Sequence, residues 1–292
     1  MAQGKRTAVY GLLGIGLVTA WMVACNPSSR DASAFTSAGV SHLQQGEYDQ
    51  AIRDFDRALA LQPGLVVAWR NRGLAHKAKG DYDRALADYE QAIVFAPNDA
   101  RLYNERGTAY AGMSDFPNAI ADFNRAITLK PDQEAAIKNR GRVNFVLGNF
   151  AQAAADLQRG LSLDSTDADA TLWLHVARRR LAQDDSSDFA AHAAAADSAR
   201  WPAPLLRYFL GTLSAEKLRA AAKDSTVVAT GAAGAANDRA CATAFFLGED
   251  ALLRNDPAAS ALFDESRTVC QKEATEHKAA SAELQRLKDQ RR

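Results

Sequence analysis

From Ala32 to Ser165 the chain carries one pattern of apolar and polar positions four times over, with a period of 34 residues. Within each period apolar residues recur three and four apart on both sides of a break at Gly46, Gly80, Ser114 or Gly148. That spacing predicts two amphipathic helices joined by a tight turn. Counting periods from Ala32, Val66, Ala100 and Glu134 brings the remaining positions into register. Gly39, Gly73, Gly107 and Gly141 fall at position 8; Ala51, Ala85, Ala119 and Ala153 at position 20; Ala58, Ala92, Ala126 and Gly160 at position 27. Position 4 is Phe35, Trp69, Tyr103 or Ile137, and position 24 is Phe55, Tyr89, Phe123 or Leu157. The small residues let the two helix backbones approach, and the bulky ones fill the space that remains. Pro63, Pro97 and Pro131 at position 32, with Ser165 in the fourth period, end each second helix, because proline cannot continue one.

A single pair of this kind leaves an apolar face uncovered, and stacking on a neighbour buries it. The occupied positions are those of tetratricopeptide (TPR) repeats. Residues 32–165 are therefore expected to form four TPR repeats, an all-α solenoid of antiparallel helix pairs. After Ser165 the pattern decays. Ala168 to Leu181, with Leu172, Trp173, Leu174 and Val176, reads as a fifth first helix, and Asp188 to Arg200 as a loose alanine-rich partner. Trp201-Pro202-Ala203-Pro204 breaks the helix. Leu205 to Leu210 and Ala215 to Lys223 read as short helices, the second capped by Ser214. Residues 166–240 are thus an irregular helical segment that ends in a small-residue linker over Ser225 to Asn237. Residues 241–272 restore a TPR-like hairpin, with Leu247-Gly248 at positions 7 and 8 and Ala259 and Phe263 at 20 and 24. Residues 273–292 read as a charged capping helix with Leu284 and Leu287 on one side.

Residues 1–25 have the layout of an export signal, Lys5 and Arg6 ahead of an apolar run from Thr7 to Ala24. Met22-Val23-Ala24-Cys25 resembles a bacterial lipobox, with Met22 where leucine is usual. The resemblance implies cleavage before Cys25 and acylation of that cysteine, with residues 26–31 linking it to the first repeat. Asn26, where an aspartate often retains lipoproteins in the inner membrane, implies delivery to the outer one. An uncleaved anchor is the alternative, because 18 apolar residues just cross a bilayer. Cys241 and Cys270 are the other two cysteines. In an oxidising compartment they are a candidate disulfide. If Cys241 opens one helix and Cys270 closes its antiparallel partner, they meet at the open end of the hairpin. Two buried thiols are the alternative.

In a TPR array the first helices line the concave face, with positions 2, 5, 9 and 12 turned inward. Here these are Ser33, Thr36, Val40 and Leu43; Val67, Arg70, Leu74 and Lys77; Arg101, Asn104, Thr108 and Ala111; Ala135, Lys138, Arg142 and Phe145. Five are basic and none is acidic, which predicts an electropositive groove suited to an acidic segment or a free carboxylate. Arg70, Lys77, Arg101, Asn104, Lys138 and Arg142 are the candidate contacts, and ordinary solvated side chains on a curved face are the alternative. Arg72, Arg106 and Arg140 stand at position 7 in place of leucine. They read as structural, with stems over apolar surface and heads in water. His42 and His76 share position 11 and read as packing residues, with no third ligand for a metal.

Lys plus Arg equals Asp plus Glu, 35 each, which argues against a nucleic-acid partner. The sequence contains no nucleophile elbow, His-Glu-x-x-His, Cys-x-x-Cys or phosphate loop. Asp54 and Asp56 read as surface charge on opposite sides of a helix. A non-enzyme is expected, without metal or cofactor.

The order of the C-terminal motifs is more specific. A lipobox, TPR units, Leu172-Trp173-Leu174, Trp201-Pro202 leading into Leu205 to Ser214, Phe245-Phe246-Leu247-Gly248, and Glu276-His277 before Ala282-Glu283-Leu284 together resemble the NlpI-type TPR lipoproteins. The resemblance implies an outer-membrane lipoprotein facing the periplasm, often a homodimer, without catalysis of its own. It also implies protein partners: murein endopeptidases held by the adaptor and a periplasmic protease to which some are presented. The two C-terminal cysteines and the glycine-alanine linker depart from that family. An outer-membrane protein assembly lipoprotein is the alternative, although such proteins carry TPRs over the whole chain.

Overall fold

A computed structural model describes residues 27–198, 200–224, 235–272 and 274–290 of the chain. The signal stretch with its Cys25, and Ser225 to Gly234 of the small-residue linker, lie outside the described residues. Among those described there are fifteen helices and no strand. The four repeats are α1 (Pro27–Gln44) with α2 (Tyr48–Leu61), α3 (Val66–Ala78) with α4 (Tyr82–Phe95), α5 (Ala100–Gly112) with α6 (Phe116–Leu129), and α7 (Glu134–Leu147) with α8 (Phe150–Leu163). The first helix starts at Pro27, so the stretch 26–31 expected as a linker is already helical from its second residue.

The helix pairs close as their small and large residues dictate. Ala51, Phe55 and Ala58 of α2 have no exposed surface, and the same holds for Ala85, Tyr89 and Ala92 of α4 and Ala119, Phe123 and Ala126 of α6. Burial of this apolar area is the main favourable term. A Cβ added at Gly107 would lie 2.8 Å from the Phe123 ring, so the bulk at position 24 demands glycine at position 8. The turn at position 15 takes a positive φ in every repeat, 77° at Gly80 but also 64° at Ser114, where a side chain is carried in the left-handed region. Carboxylates cap the helices: Asp99 accepts from the Arg101 amide at 3.0 Å and Asp167 from the Ala170 amide at 2.9 Å. Rings at position 4 tie consecutive repeats together. Trp69 Nε1 donates to the Pro63 carbonyl at 2.7 Å, and the Tyr103 hydroxyl to the Pro97 carbonyl at 3.0 Å.

The arginines at position 7 depart from the expectation that their heads reach water. Each is drawn into a pair with the aspartate at position 23: Arg72 with Asp88, Arg106 with Asp122 and Arg140 with Asp156. Asp54, expected as surface charge, is buried as well and accepts from His42 Nδ1 at 2.8 Å, while Asp56 stays exposed and reaches Arg72. His76 is buried, packed as its position implies.

Beyond the repeats come α9 (Ala168–Arg180), α10 (Ser186–Ala195), α11 (Ala203–Phe209), α12 (Ala215–Lys223), α13 (Ala235–Leu253), α14 (Ala259–Val269) and α15 (Thr275–Gln290). The α12 cap is Ser214, whose hydroxyl accepts from the Lys217 amide. α10 buries only Phe189, and it covers the buried His175, whose Nδ1 donates to Asp185 at 3.0 Å. The final hairpin, α13 with α14, starts six residues before Cys241, so that cysteine sits inside the helix rather than at its start. It nevertheless meets Cys270, with an S–S distance of 2.09 Å and Cα atoms 4.8 Å apart.

α15 packs against α14, where a capping helix would sit, and also reaches back to the repeats. It folds back against α7, burying Ala279, Ala280 and Leu284, and Arg286 donates to the Val146 carbonyl at 2.6 Å. Phe145 at position 12 of the fourth repeat, expected to face the groove, has no exposed surface. Its ring lies 5.1 Å from Trp173 and 6.2 Å from Phe245 of α13, and the apolar gain of that cluster overrides its place in the repeat.

Candidate protein-binding groove

The first helices α3, α5, α7 and α9 share an inner face, and a pocket of about 500 Å³ lies on it. Lys77, Thr108, Asn139, Arg142, Asp169 and Trp173 come from these helices, and Tyr82 and Phe116 from the starts of α4 and α6. The far end is walled by Gln271, Thr275, Glu276 and Lys278, so the groove is open toward the first repeats and closed beyond the fourth.

The expected cations are present, yet the groove is not the uniform positive surface that its positions 2, 5, 9 and 12 imply. Arg70 Nε donates to Glu105 Oε1 at 2.8 Å. Burial raises the Glu105 carboxyl, an effect that Arg70 opposes. Arg101 folds onto the α5 cap, its Nη2 2.7 Å from Asp99 Oδ2, and this bond holds the arginine's own pKa up. The Lys138 ammonium bonds both Glu134 and Asp167. Burial works against that ammonium, and the two carboxylates hold its pKa above the ordinary value. Arg142 pairs with Asp169 and donates to Asn139 Oδ1 at 3.1 Å; Asn139 Nδ2 donates in turn to Asn104 Oδ1 at 3.1 Å. A polar chain thus runs across three repeats, from Asn104 through Asn139 and Arg142 to Asp169.

Lys77 differs from these. Its Nζ donates to the Thr108 hydroxyl at 3.0 Å, and that hydroxyl donates to the Glu105 carbonyl at 2.7 Å. No carboxylate lies within 4 Å of Lys77 among the described residues, and burial lowers its pKa. Of the five expected cations it is the one left able to receive an anionic group without first breaking an ion pair. At the closed end, burial and the nearby Asp169 push Glu276 up to about 7. Glu134, Asp164 and Asp167 also bring carboxylate oxygens within 4.8 Å of one another, but Lys138 already bonds two of them and serves as their counter-ion.

The acidic partners were missed because they stand outside the four inward positions. Glu105 is at position 6, and Asp99 and Asp167 are helix caps. A signal did exist for one of them, since the same count continued into α9 puts Asp169 at position 2. Among the described residues no helix is long and apolar enough to cross a membrane.

Two models of the tetratricopeptide repeat match the chain, one over residues 36–100 and the other over residues 75–137 and 114–178. The crystal structure of MamA protein is 20% identical, with a TM-score of 0.50 over 56% of this chain and 91% of that one. The Cut9 and Hcn1 hetero-tetramer of the APC/C gives 17% identity and a TM-score of 0.56 over 94% of this chain and 45% of that one. At these identities the likeness is one of fold. None of the curated proteins matches the chain.

Proposed function

We propose that this TPR protein is a non-catalytic adaptor, anchored through an acylated Cys25 at the periplasmic face of the outer membrane, that holds murein endopeptidases and presents some of them to a periplasmic protease. The supporting observation is the closed-ended groove over α3, α5, α7 and α9, with Lys77 free of ion pairing and apolar walls at Tyr82 and Phe116. Such a surface takes an extended acidic segment of another protein, anchored by its apolar side chains. Binding two proteins on one scaffold raises the effective concentration of each for the other without any chemistry by the scaffold. The wall-enzyme identity of the partners and the homodimer rest on the order of the C-terminal motifs.

In-cell cross-linking of the tagged full chain, with identification of the proteins that survive a stringent wash, tests the reading. Murein hydrolases or a periplasmic protease are the expected capture. Recovery of β-barrel assembly components alone would overturn the wall-enzyme reading in favour of outer-membrane protein assembly.

A further inference from the structure

The two helices of a repeat are antiparallel, and Gly39 meets the Phe55 ring in the first repeat as Gly73 meets the Tyr89 ring in the second. Counting six residues outward from these contacts sets Leu61 level with Ser33 and Phe95 level with Val67. The start of each first helix and the end of each second helix therefore share one edge of the array. On that edge Val94 is 70% exposed and Val67 54%, with Leu61 and Phe95 exposed as well. The Phe95 ring would lie 3.8 Å from a Cβ at Gly64, which joins the loop after the first repeat to the end of the second. Neither Ala58 to Trp69 nor Gln91 to Asn98 contains a charged residue. In the third and fourth repeats the corresponding edge carries Lys130, Asp132, Glu134 and Asp164. The edge is thus apolar over the first two repeats and charged beyond them, and a contiguous exposed apolar area of this kind marks a surface that something covers.

The start of α1 identifies the cover. Pro27 stands six residues beyond Ser33, which carries it about 9 Å further out on the same edge. Cys25 is two residues ahead of Pro27, so an acyl group on that cysteine keeps the start of α1 within about 7 Å of the anchored residue. The headgroup layer of one leaflet is about 5–8 Å deep. With the acyl chains in the hydrocarbon, the first turns of α1 cross that layer and the apolar edge meets its surface. A second copy of the chain fits less well. The four exposed side chains offer far less than the about 800 Å² that a stable interface takes from each partner. A surface already tethered beside its target needs only a weak contact to stay down.

We infer that the edge formed by Leu61, Val67, Val94 and Phe95 rests on the bilayer that holds the acylated Cys25, so that the helix pairs of the first two repeats stand on end on the membrane. The inference deepens the anchoring part of the proposed function and rests on acylation of Cys25. The lipid supplies attachment, and the edge supplies orientation: a chain held by its acyl groups alone would swing about Asn26, whereas one that also buries Val94 and Phe95 at the interface keeps a fixed face toward the periplasm.

The test is nitroxide accessibility on the full acylated chain anchored in vesicles of phosphatidylethanolamine and phosphatidylglycerol. One label sits at Val94→Cys and the other, on the opposite edge, at Gln45→Cys; both positions are exposed. With Cys25 acylated and Cys241 bonded to Cys270, no other thiol takes the label. Compared with position 45, position 94 is expected to collide about threefold less with a water-soluble nickel chelate and more with oxygen, which concentrates in hydrocarbon. If the chain floats with the vesicles and position 94 is as open to the chelate as position 45, the inference is overturned and the anchoring stands. If the chain does not float, the anchoring reading fails and the inference with it. Shielding of position 94 that rises with protein concentration and brings no gain in oxygen collisions would assign the edge to a second copy and overturn the inference too. Should Val94→Cys fail to fold, Val67→Cys carries the same test.

Discussion

Arg106 grips Asp122 through two parallel hydrogen bonds, Nε to Oδ2 and Nη2 to Oδ1, both 2.8 Å long. The pair joins the two helices of one repeat, and it recurs one repeat earlier at Arg72 and Asp88 and one later at Arg140 and Asp156. The arrangement also reaches between repeats: Arg140 Nη1 donates to Asn124 Oδ1 of the preceding repeat at 2.5 Å. Where a leucine at position 7 would only pack, these arginines connect the hairpin and the stack with one planar group.

Removing one partner is expected to cost more than removing both. Asp122 is buried, so Asp122→Ala strands a half-buried guanidinium and should lower stability by about 2–4 kcal/mol. The double change Arg106→Leu with Asp122→Leu should recover most of that loss. Urea unfolding of the single and double variants checks this. A loss below about 0.5 kcal/mol for Asp122→Ala would mean that water satisfies Arg106 in the folded state.

Gly107→Ala brings a methyl group to 2.8 Å from the Phe123 ring and should destabilise by about 1–3 kcal/mol. Trimming the ring with Phe123→Leu in the same chain should return part of the loss. Melting temperatures of the three variants read the outcome, and equal losses for the single and double variants would show that the clash is relieved elsewhere.

Glu249 sets a pH dependence. It has no exposed surface, and burial, reinforced by the neighbouring Glu283 and opposed by Arg180, pushes its carboxyl up to about 8. The folded pKa lies above the unfolded 4.5, so the neutral form favours folding. That contribution is fully present below pH 4.5 and is lost as the pH rises toward about 8. Glu249→Gln removes the titration, so the variant should gain on the native chain between pH 5 and 8, at no more than about 1.4 kcal/mol per pH unit. Denaturant unfolding across that range gives the slope, and a flat difference would show that the carboxyl stays ionised.

Charge reversal in the groove needs care after the ion pairs are known. Arg70→Glu sets a carboxylate against Glu105 and should lower stability as well as binding. Lys77→Gln keeps a donor for Thr108 and breaks no ion pair. It should weaken capture of an acidic partner about tenfold with the melting temperature unchanged. Titration calorimetry with the recovered partner tests this, and unaltered affinity would move the contact away from Lys77.

The helix pairs were legible because position-specific small and large residues carry their own steric requirement, as Gly107 and Phe123 show. The meeting of Cys241 and Cys270 was legible too, although the helix start was placed six residues late. The ion pairs of the groove were not, since each depends on which side chains a neighbouring repeat delivers across the interface. Phe145 was misplaced for a related reason. The pattern of Leu284 and Leu287 announces an amphipathic helix, but a periodicity along one segment holds no information about which distant surface will cover it.

The return of α15 across α7 limits how this architecture can evolve. Solenoids lengthen by duplicating a unit, because each unit touches only its neighbours. Ahead of the second repeat such a duplication would cost the chain little. Between the fourth repeat and α9 it would carry Phe145 away from Trp173 and the Val146 carbonyl away from Arg286, contacts between residues far apart in the sequence. The array is therefore able to grow at one end only, and its length on the other side is fixed by its own tail.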